Sequence, residues 1–403
     1  MAIIHPFKAW RPSPEQVSDI SSVPYDVINT EEAKAMADDN PQSFIHVIRP
    51  EIDLPNDIDI HDDRVYKKGA ENLKMFKDEG FLKQENQQSL YIYKLTKDGE
   101  TQSGIFACVS VEDYDNDVIL KHELTRPEKE DDRTRHIMTQ SAHAEPVMMT
   151  FKDTEEIHYL MDEITDTMDS LYDFTAPDGV GHQIWQVDIT EAFEQAFKKI
   201  PHLYIADGHH RCKSASRVAE TMKQQNPDHT GREEYNFFPA VLFPMDQMHI
   251  LPYNRILYDV SDEQWNTLQT EHELTESVHP VPDQKGEIAI YYDGIWHGYS
   301  LPLPKEPSSV EKLDVARLQR YLLEPIFGIK DQRNDKNLHF VGGIRGTTEL
   351  ERLVDSQDVD MAISMYPTSI EELVDVSDEG ELMPPKSTWF EPKLRSGILV
   401  HTF

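Results

Sequence analysis

The sequence predicts a mixed α/β protein. Three stretches carry that prediction. Residues 203–225 run from a short apolar strand through a glycine-containing turn into a helix. Residues 288–296 place Asp293-Gly294 between β-forming residues, the mark of a type I′ hairpin. Residues 338–375 alternate strand-like and helix-like runs, a C-terminal βαβα unit.

The other elements follow along the chain. The first 24 residues are punctuated by Pro6, Pro12, Pro14 and Pro24. Thr30 reads as an N-cap before Glu31-Glu32-Ala33. A helix is expected over 61–79, where Tyr66, Leu73 and Phe76 fall near one face and Gly80 stops the run. Strands follow at 89–95 and around Ile105, Ala107, Val109 and Val111, which alternate with the period of a half-buried strand. The stretch 121–133 is densely charged, and it reads as too polar for core and too irregular for a helix face. Helices are expected at 154–170, at 191–199 behind a Thr190 cap, at 212–225 and at 313–324. Strands are expected at 184–189, 203–206, 238–243 and 250–260. Thr348 with Glu351, and Thr368 with Glu371, read as capping boxes for the last two helices. A Pro-rich loop at 383–393 leads to a last strand at 397–403. Three regions are expected: 1–130, 131–275 as a core around Asp207–Arg211, and 276–403.

Composition narrows the function. The 403 residues carry 74 Asp and Glu against 39 Lys and Arg, a net charge of -35. Such a chain is poorly suited to neutralising nucleic-acid phosphates or to docking on anionic membranes. A small anionic ligand in a local basic pocket stays compatible with it. A mean hydropathy of -0.60 describes an ordinary globular chain. Two cysteines in this length fit a reducing compartment. The first residues hold no apolar signal-like run, and no stretch of about 18 apolar residues occurs. A cytoplasmic protein with a small-molecule substrate is the expectation.

The chemistry concentrates at Asp207-Gly208-His209-His210-Arg211. Gly208 permits a positive φ or the close approach of a ligand. A helix start offers unpaired N–H groups and partial positive charge, both suited to phosphate. Arg211 adds a planar, permanent charge. Asp207 is a candidate Mg²⁺ ligand or histidine orienter, and His209 and His210 can donate to phosphate or move a proton. Adjacent histidines on a helix point about 100° apart, poor geometry for one zinc. The cluster His122, Glu123, Arg126 and Arg133 is a second candidate: a carboxylate beside basic groups can serve as a general base near bound phosphate. A third is Lys386-Ser387, on a loop stiffened by Pro384 and Pro385. The motifs HExxH, CxxC, GxSxG and GxxxxGK[ST] are absent.

Several segments together resemble a widespread bacterial and archaeal family of unknown function. They are VPYDVI (23–28), NPxSF (40–44), KHExTRPEKExDR (121–133), YIADGHHR (204–211), LPYNR (251–255) and PPKSTWFEPKLRSG (384–397). More remotely, DGHHR looks like the phosphate loop of the ParB/sulfiredoxin superfamily, whose free-serine kinases carry a DGxHR loop. That resemblance implies a ParB/sulfiredoxin-like core and phosphotransfer from ATP or ADP, with Mg²⁺, to a small hydroxylated metabolite, with free L-serine the best single acceptor. It implies phosphate contacts for Asp207, Gly208, His209, His210 and Arg211. It also strengthens the 121–133 cluster, where Glu123 is the expected general base and His122 its neighbour. A nucleotide-binding switch of ParB type and a phosphomonoester phosphatase are the alternatives.

Overall fold

The computed structural model describes residues 1–152 and 154–403. It divides into two compact units. Unit 1 comprises Met1–Leu120, Thr125–Met248 and Pro392–Phe403; unit 2 comprises Lys121–Leu124 and His249–Glu391. The boundaries expected at 130 and 275 fall inside these units. Strands from both sides of residue 130 pair in one sheet, so no cut there separates two cores.

Unit 1 is built on a mixed sheet. Its order is Ile119–Leu120, Leu203–Asp207, Val147–Phe151, Phe237–Pro244, Glu100–Ser110, Leu90–Lys97, Gly181–Val187 and Tyr172–Thr175, with Ile4–His5 added to Glu100–Ser110. Leu203–Asp207 runs antiparallel to Val147–Phe151 and parallel to Ile119–Leu120. One face buries Ile92, Ile105, Met149, Ile205 and Leu242 against Phe193, Phe197, Cys212 and Ala215 of the covering helices. The apolar strands at 90–97, 147–151 and 203–207 are short β-branched and aromatic runs buried on both faces, as central strands require.

Unit 2 holds a second sheet, ordered Thr275–Glu276, Ile295–Ser300, Glu287–Tyr292, Met361–Met365, Tyr253–Leu257 and Leu338–Gly342. The expected hairpin is there: Asp293 (φ 49°) and Gly294 (φ 79°) both take the positive φ of a type I′ turn. The βαβα order is also there, as Leu338–Gly342, Gly346–Asp355, Met361–Met365 and Ile370–Asp378. Its two strands flank Tyr253–Leu257, which pairs antiparallel with each. The mixed α/β class is therefore correct.

Several local expectations are corrected. The charged stretch after Arg126 is a helix, Pro127–Gln140. Proline at its first position and Glu128 and Glu130 in its first turn suit a helix start, and the charges face outward until Asp132, Arg133 and His136 turn inward. Capping moves by one residue where a better side chain adjoins. Asn29 with Glu32, and Ser369 with Glu372, form the capping boxes in place of Thr30 and Thr368. Thr348 caps nothing, because its helix begins at Gly346. The run expected as a helix over 313–324 is a short α-helix, Asp314–Leu318, continued by a π-turn, Gln319–Leu323. Among the described residues, no helix is long and apolar enough to cross a membrane.

Candidate functional site: the Asp207–Arg211 turn

The strand Leu203–Asp207 delivers the chain to the site with its register shifted between Ile205 and Asp207. Such an irregularity re-aims the last side chain. Gly208 is the N-cap of the next helix, at φ 106° and ψ 29°. That conformation favours glycine. A Cβ there would also lie 3.0 Å from Arg211 Nε and 3.1 Å from its Cζ. A side chain at this position would press on the guanidinium that folds back against the turn.

The helix, His209–Gln225, starts three residues earlier than its sequence pattern suggests. His209, His210 and Arg211 are thus its first turn, not a loop before it. Cys212 N donates to Gly208 O at 3.0 Å, the first bond of the helical ladder. Seventeen residues give this helix a full macrodipole at that end.

Arg211 is buried. Nη2 donates to Asp207 Oδ2 at 2.8 Å, and Nη1 donates to the Pro146 carbonyl. Burial pulls this guanidinium down, but Asp207, with Asp26 and Glu145, outweighs it and holds the group above its ordinary value. Both terminal nitrogens are therefore engaged by protein. Arg211 supplies fixed charge and orientation to the turn.

Asp207 faces a second cation, since Lys393 Nζ lies 3.5 Å from Oδ1. Asp207, the residue expected from the sequence to hold Mg²⁺, thus has a cation beside each carboxylate oxygen. His210 accepts a hydrogen bond on Nε2 from the Arg126 backbone N–H at 3.1 Å. That assignment leaves the proton on Nδ1. Burial holds His210 below its ordinary value, which favours the neutral imidazole. A neutral imidazole with its proton on Nδ1 can donate to a phosphate oxygen. His209 is buried at the helix start.

Behind the turn lies a buried charge network. Glu145 Oε1 accepts from the Tyr25 backbone N–H at 3.0 Å and from Ser396 Oγ at 3.3 Å. Its Oε2 is 3.7 Å from Arg133 Nη1. Burial raises the Glu145 carboxyl more than Arg211 and Arg133 lower it. Arg133 donates through Nε to Asp132 Oδ2 at 2.9 Å and lies 4.0 Å from the Tyr25 ring centre. Tyr66 OH donates to Asp132 Oδ1 at 2.8 Å. The helix Pro127–Gln140 is joined to the His209–Gln225 helix by Ser214 Oγ, which donates to Glu130 O at 3.1 Å.

Of the residues singled out from sequence, Arg126, Arg133 and Asp207–Arg211 meet in unit 1. His122, Glu123, Lys386 and Ser387 belong to unit 2. There the buried His122 accepts on its carbonyl from Met383 N at 2.8 Å, and Glu123 is half-buried. Ser387 Oγ closes its own turn by donating to Pro384 O at 2.7 Å. Lys386, at φ 58°, donates to Tyr253 OH at 3.2 Å.

Sequence reasoning missed Glu145, Asp26 and Lys393. Asp26 lies in VPYDVI and Lys393 in PPKSTWFEPKLRSG, so the recurring segments were the available signal. Glu145 sits in SAHAEPV, which carried none.

The signature of the DUF1015 family, described as a protein of unknown function, matches residues 4–316. The chain belongs to the DUF1015 family. No curated protein matches it. Solved structures similar to it include SbnI with a C-terminal truncation from Staphylococcus aureus, at 15% identity and TM-score 0.39, covering 73% of this chain and 87% of that one. A free serine kinase in complex with AMP is 12% identical, with TM-score 0.36, covering 73% of this chain and 91% of that one. A conserved hypothetical protein from Pyrococcus furiosus is 13% identical, with TM-score 0.37, covering 74% and 95%.

Proposed function

We propose that this DUF1015 chain is a nucleotide-dependent phosphotransferase for a small hydroxylated metabolite, with free L-serine the acceptor of choice. The observation that carries the reading is the turn at Gly208. A positive-φ glycine opens a long helix whose first turn is His209, His210 and Arg211, with the Arg211 guanidinium held by Asp207. Backbone N–H groups at that end and the His210 Nδ1–H are donors suited to phosphate oxygens. The likeness of DGHHR to the DGxHR loop of free-serine kinases, within a ParB/sulfiredoxin-like core, supports the choice of class.

In this reading ATP or ADP lays its terminal phosphates on the helix start. The acceptor hydroxyl oxygen attacks the terminal phosphorus, the phosphorus–oxygen bond to the nucleotide breaks, and the hydroxyl proton passes to a carboxylate. Glu123 is the proposed base. Asp26, an exposed carboxylate whose charge acts on both Arg211 and His210, is the other carboxylate to test. Mg²⁺ arrives with the nucleotide and neutralises phosphate charge. The protein's part is positioning and fixed charge.

The test is a phosphotransfer assay with ATP and ADP offered separately against L-serine and a panel of small alcohols, with products read by mass spectrometry. A phosphorylated product formed by wild type and lost in Arg211→Lys supports the reading. Inorganic phosphate released from phosphoserine without nucleotide would replace it by a phosphatase. The base is assigned by whichever of Glu123→Gln and Asp26→Asn abolishes turnover while preserving nucleotide binding.

A further inference from the structure

Unit 2 contains a buried charge that no acidic group among the described residues answers. Arg255 lies on the strand Tyr253–Leu257, opposite Phe340 on one neighbour and Ile363 on the other. Its side chain is fully buried. Nη1 donates to the Tyr253 carbonyl, and Nη2 donates to Gln332 Oε1 at 3.3 Å. The guanidinium carbon is 5.2 Å from the Phe340 ring centre. Nε has no hydrogen-bond partner among the described residues. Burial pulls the group down to about 9, and among the described residues no carboxylate offsets that burial.

Another arginine of the same unit shows the usual arrangement. Arg317 is also buried, and it donates to Asp314 Oδ1 at 2.7 Å and to the carbonyls of Leu301 and Pro302. A buried cation without such an acid costs several kcal/mol, a cost that a bound anion removes.

The geometry shows where an anion fits. The Nε–Nη2 edge of a guanidinium is one of the edges that takes a planar oxyanion through two parallel bonds. Here, among the described residues, Nη2 holds only a neutral amide oxygen and Nε holds nothing. That amide comes from Gln332, the one buried residue among 331–337. The turn around it is self-contained. The Asp331 carboxylate accepts from Arg333 N, Nε and Nη2 and from Asn334 Nδ2, and Asn334 N donates to Asp331 O at 3.2 Å. Withdrawing the Gln332 side chain leaves those bonds intact. Lys330 and Lys336 stand exposed on either side of it, while Arg333 is held by Asp331.

We propose that Arg255 anchors an oxyanion site, which takes a small carboxylate or phosphate on Nε and Nη2 in exchange for the Gln332 amide, with the 331–335 turn as its door. The site is independent of the Gly208 turn, and it stands whether or not the chain transfers phosphate.

The test is thermal denaturation of the full chain in inorganic phosphate, in succinate and in chloride at matched ionic strength. The proteins are wild type, Arg255→Met, Gln332→Ala and Arg211→Lys. Phosphate or succinate should raise the Tm of wild type by about 5 °C over chloride near saturation, and whichever does so names the ligand chemistry. Arg255→Met, an unbranched apolar replacement, should lose that shift, and Arg211→Lys should keep it. Gln332→Ala removes the competing amide and should lower the half-saturating concentration. No shift over chloride in wild type overturns the proposal. So does a shift kept by Arg255→Met and lost by Arg211→Lys. If Arg255→Met does not fold, Gln332→Ala decides: an unchanged half-saturating concentration overturns the site.

Discussion

Arg211 and Arg255 are both buried guanidiniums, and their surroundings have opposite character. Arg211 is met by Asp207, with Glu145 and Asp26 within electrostatic reach, and its proton is held more tightly than in water. Arg255 is met by a carbonyl, an amide and a ring, and its proton is held less tightly. The first arrangement is a finished structural clamp that shapes a helix start. The second is charge held in reserve. Burial alone does not tell the two apart; the identity of the acceptors does.

That contrast can be broken from the Arg211 side. The largest effect expected is on turnover: Arg211→Lys keeps the charge but loses the planar fork, and phosphotransfer should fall on the order of 10²–10³-fold. Steady-state kinetics would check it, and a variant with more than half of wild-type kcat/KM would make the clamp ornamental. Next is Glu145→Gln, which retains hydrogen-bonding shape but strips the shared carboxylate from between Arg133 and Arg211. Urea denaturation should show a loss of about 3–5 kcal/mol, the usual cost of leaving buried charge unanswered. A loss under about 1 kcal/mol would mean that Asp207 and Asp132 suffice by themselves.

Gly208→Ala comes third. Its left-handed φ costs about 1–2 kcal/mol for an alanine, and the new Cβ presses on the Arg211 side chain. Denaturation should show that loss together with weakened nucleotide binding. Stability lost without any change in binding would separate the turn's shape from its chemistry. The Arg255 side gives the smallest change. In chloride, the Tm of Arg255→Met should equal or exceed that of wild type, because an apolar side chain replaces an unanswered charge. A fall of more than about 5 °C would show that Arg255 is a structural clamp like Arg211.

Acid offers a further way to sharpen the comparison. His136, one turn beyond Arg133, is held down to about 3 by burial first and by the Arg133 charge second. Its folded value lies below its unfolded one, so the unfolded chain takes up the proton first. The stability this histidine contributes is complete above about 6.5 and drains away as pH falls toward about 3. Denaturation midpoints measured between those values should fall less steeply for His136→Gln than for wild type. Identical slopes would remove His136 from the acid response.

How much of this was legible in the sequence depends on how local each feature is. Asp207–Arg211 could be read because glycine, histidine and arginine at a strand-to-helix junction are contiguous. Asp293-Gly294 could be read for the same reason. The βαβα order followed from alternating strand-like and helix-like runs with capping residues before the helices. The helix Pro127–Gln140 was missed because its inward face is Asp132, Arg133, His136 and Gln140 around a single apolar residue, Ile137, too little for an apolar stripe. The Glu145 contacts were out of reach: its partners Tyr25 and Ser396 lie 120 and 251 positions away along the chain. Arg255 was the least legible. LPYNR marks it, but fully buried arginines are rare enough that a sequence reader assigns the residue to the surface.

Isothermal titration of ADP into wild type and into Arg211→Lys tests most directly whether the Gly208 turn holds a nucleotide's phosphates. The prediction is saturable binding by wild type, weakened at least about tenfold in Arg211→Lys. Equal affinity in the two proteins, or no binding heat in wild type with ADP or ATP in the presence of Mg²⁺, would contradict it.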